Sequence, residues 1–173
     1  MELSLNVYES NAKSKCYSIK THDKSIDEAF AGDYIGFNIK GFTIRDLKGT
    51  RLVIGGNDSL KKVQNLRVKI LMINKTKTTL RNGSELFFYC YTTHFPINIV
   101  KIEYIIDGKN KILEKEPKEI IRGEYAIVII KPIPQRYFFL CEKFNEYPIL
   151  GGFAFIEKEI IAIGNIQDIN IEL

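Results

Sequence analysis

Leu3, Leu5 and Val7 alternate with polar neighbours, and so do Ile35, Phe37 and Ile39. A repeat of two sends successive side chains to opposite faces of an extended segment, so both runs predict half-buried strands. Longer apolar runs follow from Leu66 to Ile73, Ser84 to Thr92, Asn98 to Ile106, Tyr125 to Ile133, Tyr137 to Phe144 and Gly152 to Ile166. Asn82-Gly83, Asp107-Gly108 and Arg122-Gly123 punctuate them, and such pairs tolerate the positive φ that tight hairpins demand. Only Ser25 to Phe30 reads as helical, with Ser25 as N-cap and Asp27 and Glu28 in a single first turn. Many short strands separated by turn signals predict an all-β chain, as barrels or a sandwich rather than an α/β fold. The polar stretch from Gly55 to Asn65 interrupts the pattern and is expected to be a linker between residues 1–54 and residues 66–173.

The composition permits this reading and narrows the function. With 173 residues, 45% hydrophobic and 12% aromatic, the chain is long enough for one large domain or two small β units with a real core. A net charge of +4 allows contact with RNA or acidic proteins but falls short of a dedicated nucleic-acid binder. Cys16, Cys90 and Cys141 are widely spaced and odd in number, which argues against a disulfide framework and for a reducing compartment. No apolar leader opens the sequence and no apolar run is long enough for a membrane-spanning helix, so the expected location is the cytoplasm, away from membranes. Asn-x-Ser/Thr triplets at Asn57, Asn74 and Asn82 therefore carry no weight as glycosylation sites.

Chemistry-bearing residues are sparse. There is no G-x-x-x-x-G-K-[ST] phosphate loop, and Asn74 to Lys77 (NKTK) lacks the aspartate of a guanine-reading NKxD motif. Cys90 and His94 are four apart, which on one strand would aim both at the same face and would suit a Cys–His nucleophile pair. Cys90 is read instead as a small buried hydrophobe, and His22 and His94 as structural or surface residues. Three cysteines and two histidines without short spacing make a poor zinc site. Gly55-Gly56 reads as a hinge, since no helix follows to complete a phosphate cradle. Phe87, Phe88, Tyr89, Tyr91 and Phe95 could stack on bases, but alternation sends half of any strand inward, so packing is the preferred reading. No catalytic residue, metal or cofactor is expected.

Residues 28–49, running from EAFAGDYIGFNIK to DLKG, resemble the EAxxGDNVGFNVKxxxxxDxxRG pattern that closes the second domain of the elongation factor 1-alpha family. Glu28, Ala29, Gly32, Asp33, Gly36, Phe37, Asn38, Lys40, Asp46 and Gly49 fall on it. CYTTH (Cys90 to His94) is similar to the family's CHTAH. RGEYAIVIIKPIPQR (Arg122 to Arg136) looks like SGDAAIVxxxPxxP, and Glu142 to Ile166 resembles ESFxxYPPLGRFAxRDxxxTVAVGVI. Within that last match Tyr147, Pro148, Leu150, Gly151, Phe153, Ala154 and Gly164 are identical.

The resemblance, to the elongation factor 1-alpha / Tu family of translational GTPases, implies a partial domain-two β-barrel over 1–54. It also implies a six-stranded antiparallel Greek-key barrel, the family's third domain, over 66–173. The GTPase domain has no counterpart here, so neither GTP nor magnesium is expected to bind and no hydrolysis is expected. The implied partners are aminoacyl-tRNA, the ribosome and exchange- or release-type protein factors. In the family the third barrel grips the tRNA backbone and domain two receives the aminoacyl end. The two arginines of GRFAxRD fall here on Gly152 and Ile156, which should weaken the grip. Candidate contacts are Lys69, Lys101, Lys131, Arg136, Lys143 and His94. The alternative is a rescue- or termination-type adaptor that binds a tRNA-mimicking protein. The missing strands of the first barrel also raise the expectation of self-association through an open edge.

Overall fold

The computed structural model describes residues 4–7, 12–22, 24–30, 32–41, 53–55, 63–73, 78–91, 93–133 and 141–172. They belong to two compact units, Met1–Leu60 and Lys61–Leu173.

The first unit holds β1 (Ser4–Val7), β2 (Ala12–Thr21), β3 (Lys24–Ile26), β4 (Gly36–Ile39) and β5 (Val53–Gly55). They form one sheet in the order β3–β2–β1–β5, with β4 also on β2. Strand β2 is its spine, pairing Lys15 with Ser4, Ile19 with both Ile26 and Phe37, and Cys16 with Ile39. The helix expected over Ser25 to Phe30 is not formed. Lys24–Ile26 is a strand, and the next four residues take no helical turn. One turn of helix fixes three residues for a single hydrogen bond, so the short segment gains more by pairing Ser25 with Lys20. The chain then reverses where the Asp33 carboxylate accepts the Phe30 N–H at 2.7 Å and the Asp33 N–H returns to the Phe30 carbonyl at 3.0 Å.

The second unit contains β6 (Leu66–Met72), β7 (Glu85–Cys90), β8 (Thr93–Ile106), β9 (Ile112–Lys115), β10 (Tyr125–Pro132), β11 (Gly152–Ile156) and β12 (Ile160–Ile169). Their order is β10–β6–β12–β11–β7–β8–β9, and β10 also pairs with β8 along Ile97 to Ile106. That last pairing closes a ring of six antiparallel strands with β9 appended to β8. The expected all-β fold with a C-terminal six-stranded antiparallel barrel is therefore met. Closure gives every ring strand two neighbours, which leaves no sticky edge in the ring.

Two strand boundaries differ from the sequence pattern. The run from Gly152 to Ile166 is split at Glu157–Glu159, where the Glu157 N–H bonds the Glu159 carbonyl at 3.1 Å. Three charged residues in a row favour solvent over a ladder, and the split yields a hairpin. Of the run from Tyr137 to Phe144, residues 137–140 lie outside the described residues, and 141–144 form no strand. That stretch is pinned instead by Glu142 N–H to the Leu150 carbonyl and Phe144 N–H to the Ile166 carbonyl. Strands β2, β5 and β9 are not predicted by the hydrophobic pattern; all of β9 is exposed and carries no apolar periodicity.

Alternation fills the barrel. Val68 and Ile70 of β6, Phe88 of β7, Ile97, Ile99 and Ile102 of β8, Val128 and Ile130 of β10 and Phe155 of β11 all point inward and are buried. Each such side chain contributes roughly 1.5–3 kcal/mol by leaving water. Phe88 stacks on Phe153 with centroids 4.7 Å apart and lies 5.1 Å from Phe95. Gly164, paired with Phe153, makes the room, because a Cβ there would meet the Lys69 carbonyl and come within 2.6 Å of Phe153 Cζ. Turns follow the predicted signals at Gly83 and Gly123, both at φ 87°. In the Asp107-Gly108 turn the positive φ falls on Asn110, while Asp107 Oδ1 accepts the Lys109 and Lys111 N–H groups. Asn65 is buried and binds the C-terminal end: its side chain exchanges two hydrogen bonds with the Ile171 main chain, at 2.9 and 3.0 Å. Among the described residues no helix is long and apolar enough to cross a membrane.

Candidate functional site

The barrel interior is closed by its own side chains, so any partner must meet the outside. On β6, β10 and β8 the outward rows bring several of the candidate cations to one side. Ile129 of β10 is flanked by Arg67 of β6 and Lys101 of β8; one step along, Ile127 lies beside Lys69, and Lys131 pairs with Asn98. Lys143 joins this side, with its Nζ 3.3 Å from Asp168 Oδ1 at the end of β12.

Most of these cations already have an acceptor. Arg67 Nε bonds Glu103 at 2.6 Å and a second guanidinium nitrogen lies 3.8 Å from Asp168. Lys101 Nζ is 2.6 Å from Glu116, and the pair shifts both groups: the shared hydrogen bond and charge hold Lys101 above the usual lysine range and Glu116 below the usual carboxylate range. Lys69 donates to Asn110 Oδ1 at 2.6 Å and lies over the Tyr125 ring. Lys131 makes no ion pair among the described residues. Arg136 lies outside the described residues. The strip is thus rich in positive charge by residue type, while much of that charge is compensated in place.

His94 is elsewhere. Tyr91 turns the chain at φ 52°, so β7 and β8 form a hairpin in which Tyr89 faces His94 and Cys90 faces Thr93. Cys90 points into the barrel and His94 points out, stacked on Tyr89 with centroids 5.0 Å apart. The spacing of four does not place them on a common face, because the strand ends between them. A Cys–His nucleophile pair is excluded by this geometry. The Cys90 thiol donates to the Leu150 carbonyl at 3.3 Å, and burial raises its pKa to about 11. Burial pushes the Cys141 thiol up as well, with the Cys90 charge adding to it. Both are protonated, inert hydrophobes at neutral pH. Among the described residues no cluster of three or more His, Cys, Asp or Glu side chains could hold a metal.

The aromatic cluster of β7 divides by parity. Phe88 and, across the hairpin, Phe95 are buried; Phe87, Tyr89 and Tyr91 are exposed. The sequence held a signal for this second set: Glu85 to Cys90 is apolar on both parities after its first residue, whereas a strand with one wet face should alternate. The ion pairs of Arg67, Glu103 and Asp168 had no such signal, since they join residues far apart in the chain.

The first unit carries a recess of about 600 Å³ lined by Ser18, Lys20, His22, Tyr34, Phe37 and Asn38. Thr21 Oγ1 donates to the Tyr34 carbonyl at 3.0 Å and lies 3.2 Å from His22 Nδ1, tying β2 to the irregular segment that leads into β4. His22 is therefore a wall of a cleft, with aromatic, cationic and amide neighbours.

Comparison with known proteins now adds to this geometry. Residues 65–167 match the family model described as GTP-eEF1A C-terminal domain-like. Elongation factor 1-alpha of Stylonychia lemnae is 33% identical over 163 residues, covering 92% of this chain and 35% of that protein. Elongation factor 1-alpha of Plasmodium falciparum (isolate K1 / Thailand) is 30% identical over 168 residues, covering 95% of this chain and 37% of that protein. The chain thus spans about a third of the length of these curated relatives. Crystal structures of sup35 complexed with GDP and with GMPPNP align at a TM-score of 0.82 and 17% identity, over 97% of this chain and 40% of each of those chains. At that identity they speak for the fold alone.

Proposed function

Given a chain that belongs to the GTP-eEF1A C-terminal domain-like family, we propose that it is the docking portion of an elongation factor 1-alpha-like translation factor. In this reading it engages aminoacyl-tRNA and protein partners of translation in the cytoplasm and has no GTPase activity of its own. The observation that carries it is the coincidence of the matched residues, 65–167, with a closed barrel whose interior is filled. A filled barrel offers surfaces rather than a reaction chamber. The curated relatives are named elongation factors, so the adaptor alternative gains no support from them.

The two surfaces would share the work. The strip carrying Lys69, Lys101 and Lys131 would follow phosphates, and the recess beside His22 and Tyr34 would take the aminoacyl end. Because Arg67, Lys101 and Lys143 are already paired with carboxylates, few counterions would be released and the affinity should be modest. Filter binding of aminoacyl-tRNA and of the deacylated form across a salt series tests this. Binding should weaken with salt, favour the aminoacylated form, and lose about one unit of salt slope in Lys131→Ala. No retention at low salt would overturn the RNA part. Saturable micromolar binding of labelled GTP to this chain would overturn the reading that it has no GTPase activity of its own.

A further inference from the structure

Asn82-Gly83 is the single Asn-Gly pair in the sequence; every other asparagine precedes a residue that carries a side chain. The pair sits at the centre of the turn from Arg81 to Ser84, which the Ser84 N–H closes on the Arg81 carbonyl at 3.0 Å, with Gly83 at φ 87°. Both residues are exposed, yet their polar groups are tied to the barrel. The Gly83 N–H donates to the Ile99 carbonyl at 2.7 Å, Asn82 Oδ1 accepts the Ile102 N–H at 2.8 Å, and the Gly83 carbonyl accepts from Asn98 Nδ2 at 3.3 Å. All three partners belong to β8, whose ladder to β10 slips on both sides of Lys101 and Ile102. The Asn82 carboxamide thus serves a main-chain donor where the strand's own pairing is irregular.

An Asn-Gly pair carries a reaction of its own. Once deprotonated, the glycine nitrogen can attack the asparagine Cγ; a cyclic imide forms, the bond from Cγ to the side-chain nitrogen breaks, and ammonia leaves with the proton. Water then opens the imide at either carbonyl, giving an aspartyl link or an isoaspartyl link whose main chain is one methylene longer. Glycine favours the attack because no side chain shields its nitrogen or restricts its rotation. In the closed barrel the attack is opposed twice. Ile99 holds the Gly83 proton and Ile102 holds Asn82 Oδ1, so Cγ cannot turn to the Gly83 nitrogen while both bonds stand. Burial plays no part, since water reaches both residues. We propose that Asn82-Gly83 is a self-modifying site that the closed barrel keeps silent and that separation of this turn from β8 releases. The aspartyl product retains an oxygen for the Ile102 N–H. The isoaspartyl product moves the Gly83 N–H away from Ile99, so a chain marked in this way cannot reclose the turn. This inference rests on neither the translational role nor an outside partner.

The test follows deamidation at position 82 by peptide mass spectrometry in mildly alkaline buffer. Three samples are compared: the folded 173-residue chain, the same chain unfolded in urea, and a free peptide spanning residues 78–88. The unfolded chain should react at the peptide's rate, and the folded chain about tenfold slower or more, because only the open fraction reacts. Phe88→Ala, which weakens the barrel core, should raise the folded-state rate about tenfold. Should that variant fail to fold, urea below the unfolding transition gives the same reading on the unaltered chain, as a rate that climbs with denaturant. On return from urea, chains with the aspartyl link should refold alongside unmodified ones, whereas isoaspartyl chains should stay unfolded or unfold at lower urea. Equal rates in the folded chain and the peptide, or a folded-state rate indifferent to both Phe88→Ala and urea, would overturn the barrel as the lock. Isoaspartyl chains that refold with the unmodified midpoint would overturn the trapping of opened chains.

Discussion

Arg67 on β6 and Phe87 on β7 both point outward from one barrel, and the fold treats them in opposite ways. Arg67 reaches Glu103 and Asp168, carboxylates contributed by two other strands. Phe87 meets Ile156 and Pro96 across its two ladders and is otherwise left to water. One side of the molecule is thus charged but largely compensated, and the other is apolar. Residue type alone would have sent nucleic acid to the first side and ignored the second. Compensation is a property of pairs, and pairs are set by register.

Interior and exterior positions can be separated within two adjacent residues. Phe88→Ala, inside the aromatic cluster, is expected to cost about 3–5 kcal/mol in urea unfolding. Phe87→Ala, one residue earlier and half exposed, should cost about 0.5 kcal/mol. Equal losses would mean that the apolar face is covered, and would break the contrast. Behind that face sits Cys90. Its folded pKa is raised from 9.0 to about 11, so the stability it contributes is complete below pH 9 and disappears as the pH rises toward 11. The loss should be about 2 kcal/mol by linkage. Thiol labelling offers an independent reading: Cys16, half-buried, should react faster than Cys90 at neutral pH, because burial keeps the Cys90 thiol out of reach and protonated.

Smaller effects belong to the charged side. Glu103→Gln should lose about 0.5–1 kcal/mol at low salt and much less in 1 M NaCl, whereas the Phe87 variant should not change with salt. Glu116 and Glu119 are held below the usual carboxylate range by hydrogen bonds from Lys101 and Arg81 respectively. Their contribution is present above the ordinary carboxylate pKa and fades as the pH falls through the lowered values. Glu116→Gln should therefore flatten the acid limb of the stability profile slightly, read by thermal melts from pH 6 to pH 3. An unchanged limb would show that the Lys101 pair is worth nothing in solution.

Much of the barrel was legible before any coordinates. Apolar runs between turn signals located β6, β7, β8, β10 and the stretch that divides into β11 and β12, and Gly83 and Gly123 mark turns where positive φ is needed. The segment from Ser25 to Phe30 misled, because a capping pattern without length to nucleate a helix yields to strand pairing. Strand β9 was invisible, as nothing in Ile112 to Lys115 is buried. Of the candidate contacts, Lys69, Lys101, Lys131 and Lys143 share one side, and His94 stands apart from them. Their shared side could not be foreseen from spacing, because it depends on which strands become neighbours when the ring closes.

Local rules written into the sequence determined that this chain would be strands and turns: apolar runs and a few glycines suffice for that. Only the tertiary structure decided what the exposed side chains mean. Arg67 found Glu103 and Asp168, Lys101 found Glu116, and Phe87 found Ile156, through ladders joining residues distant in the chain. Charge and apolarity act over a few ångströms of space, and the ring, not the order of residues, sets those distances.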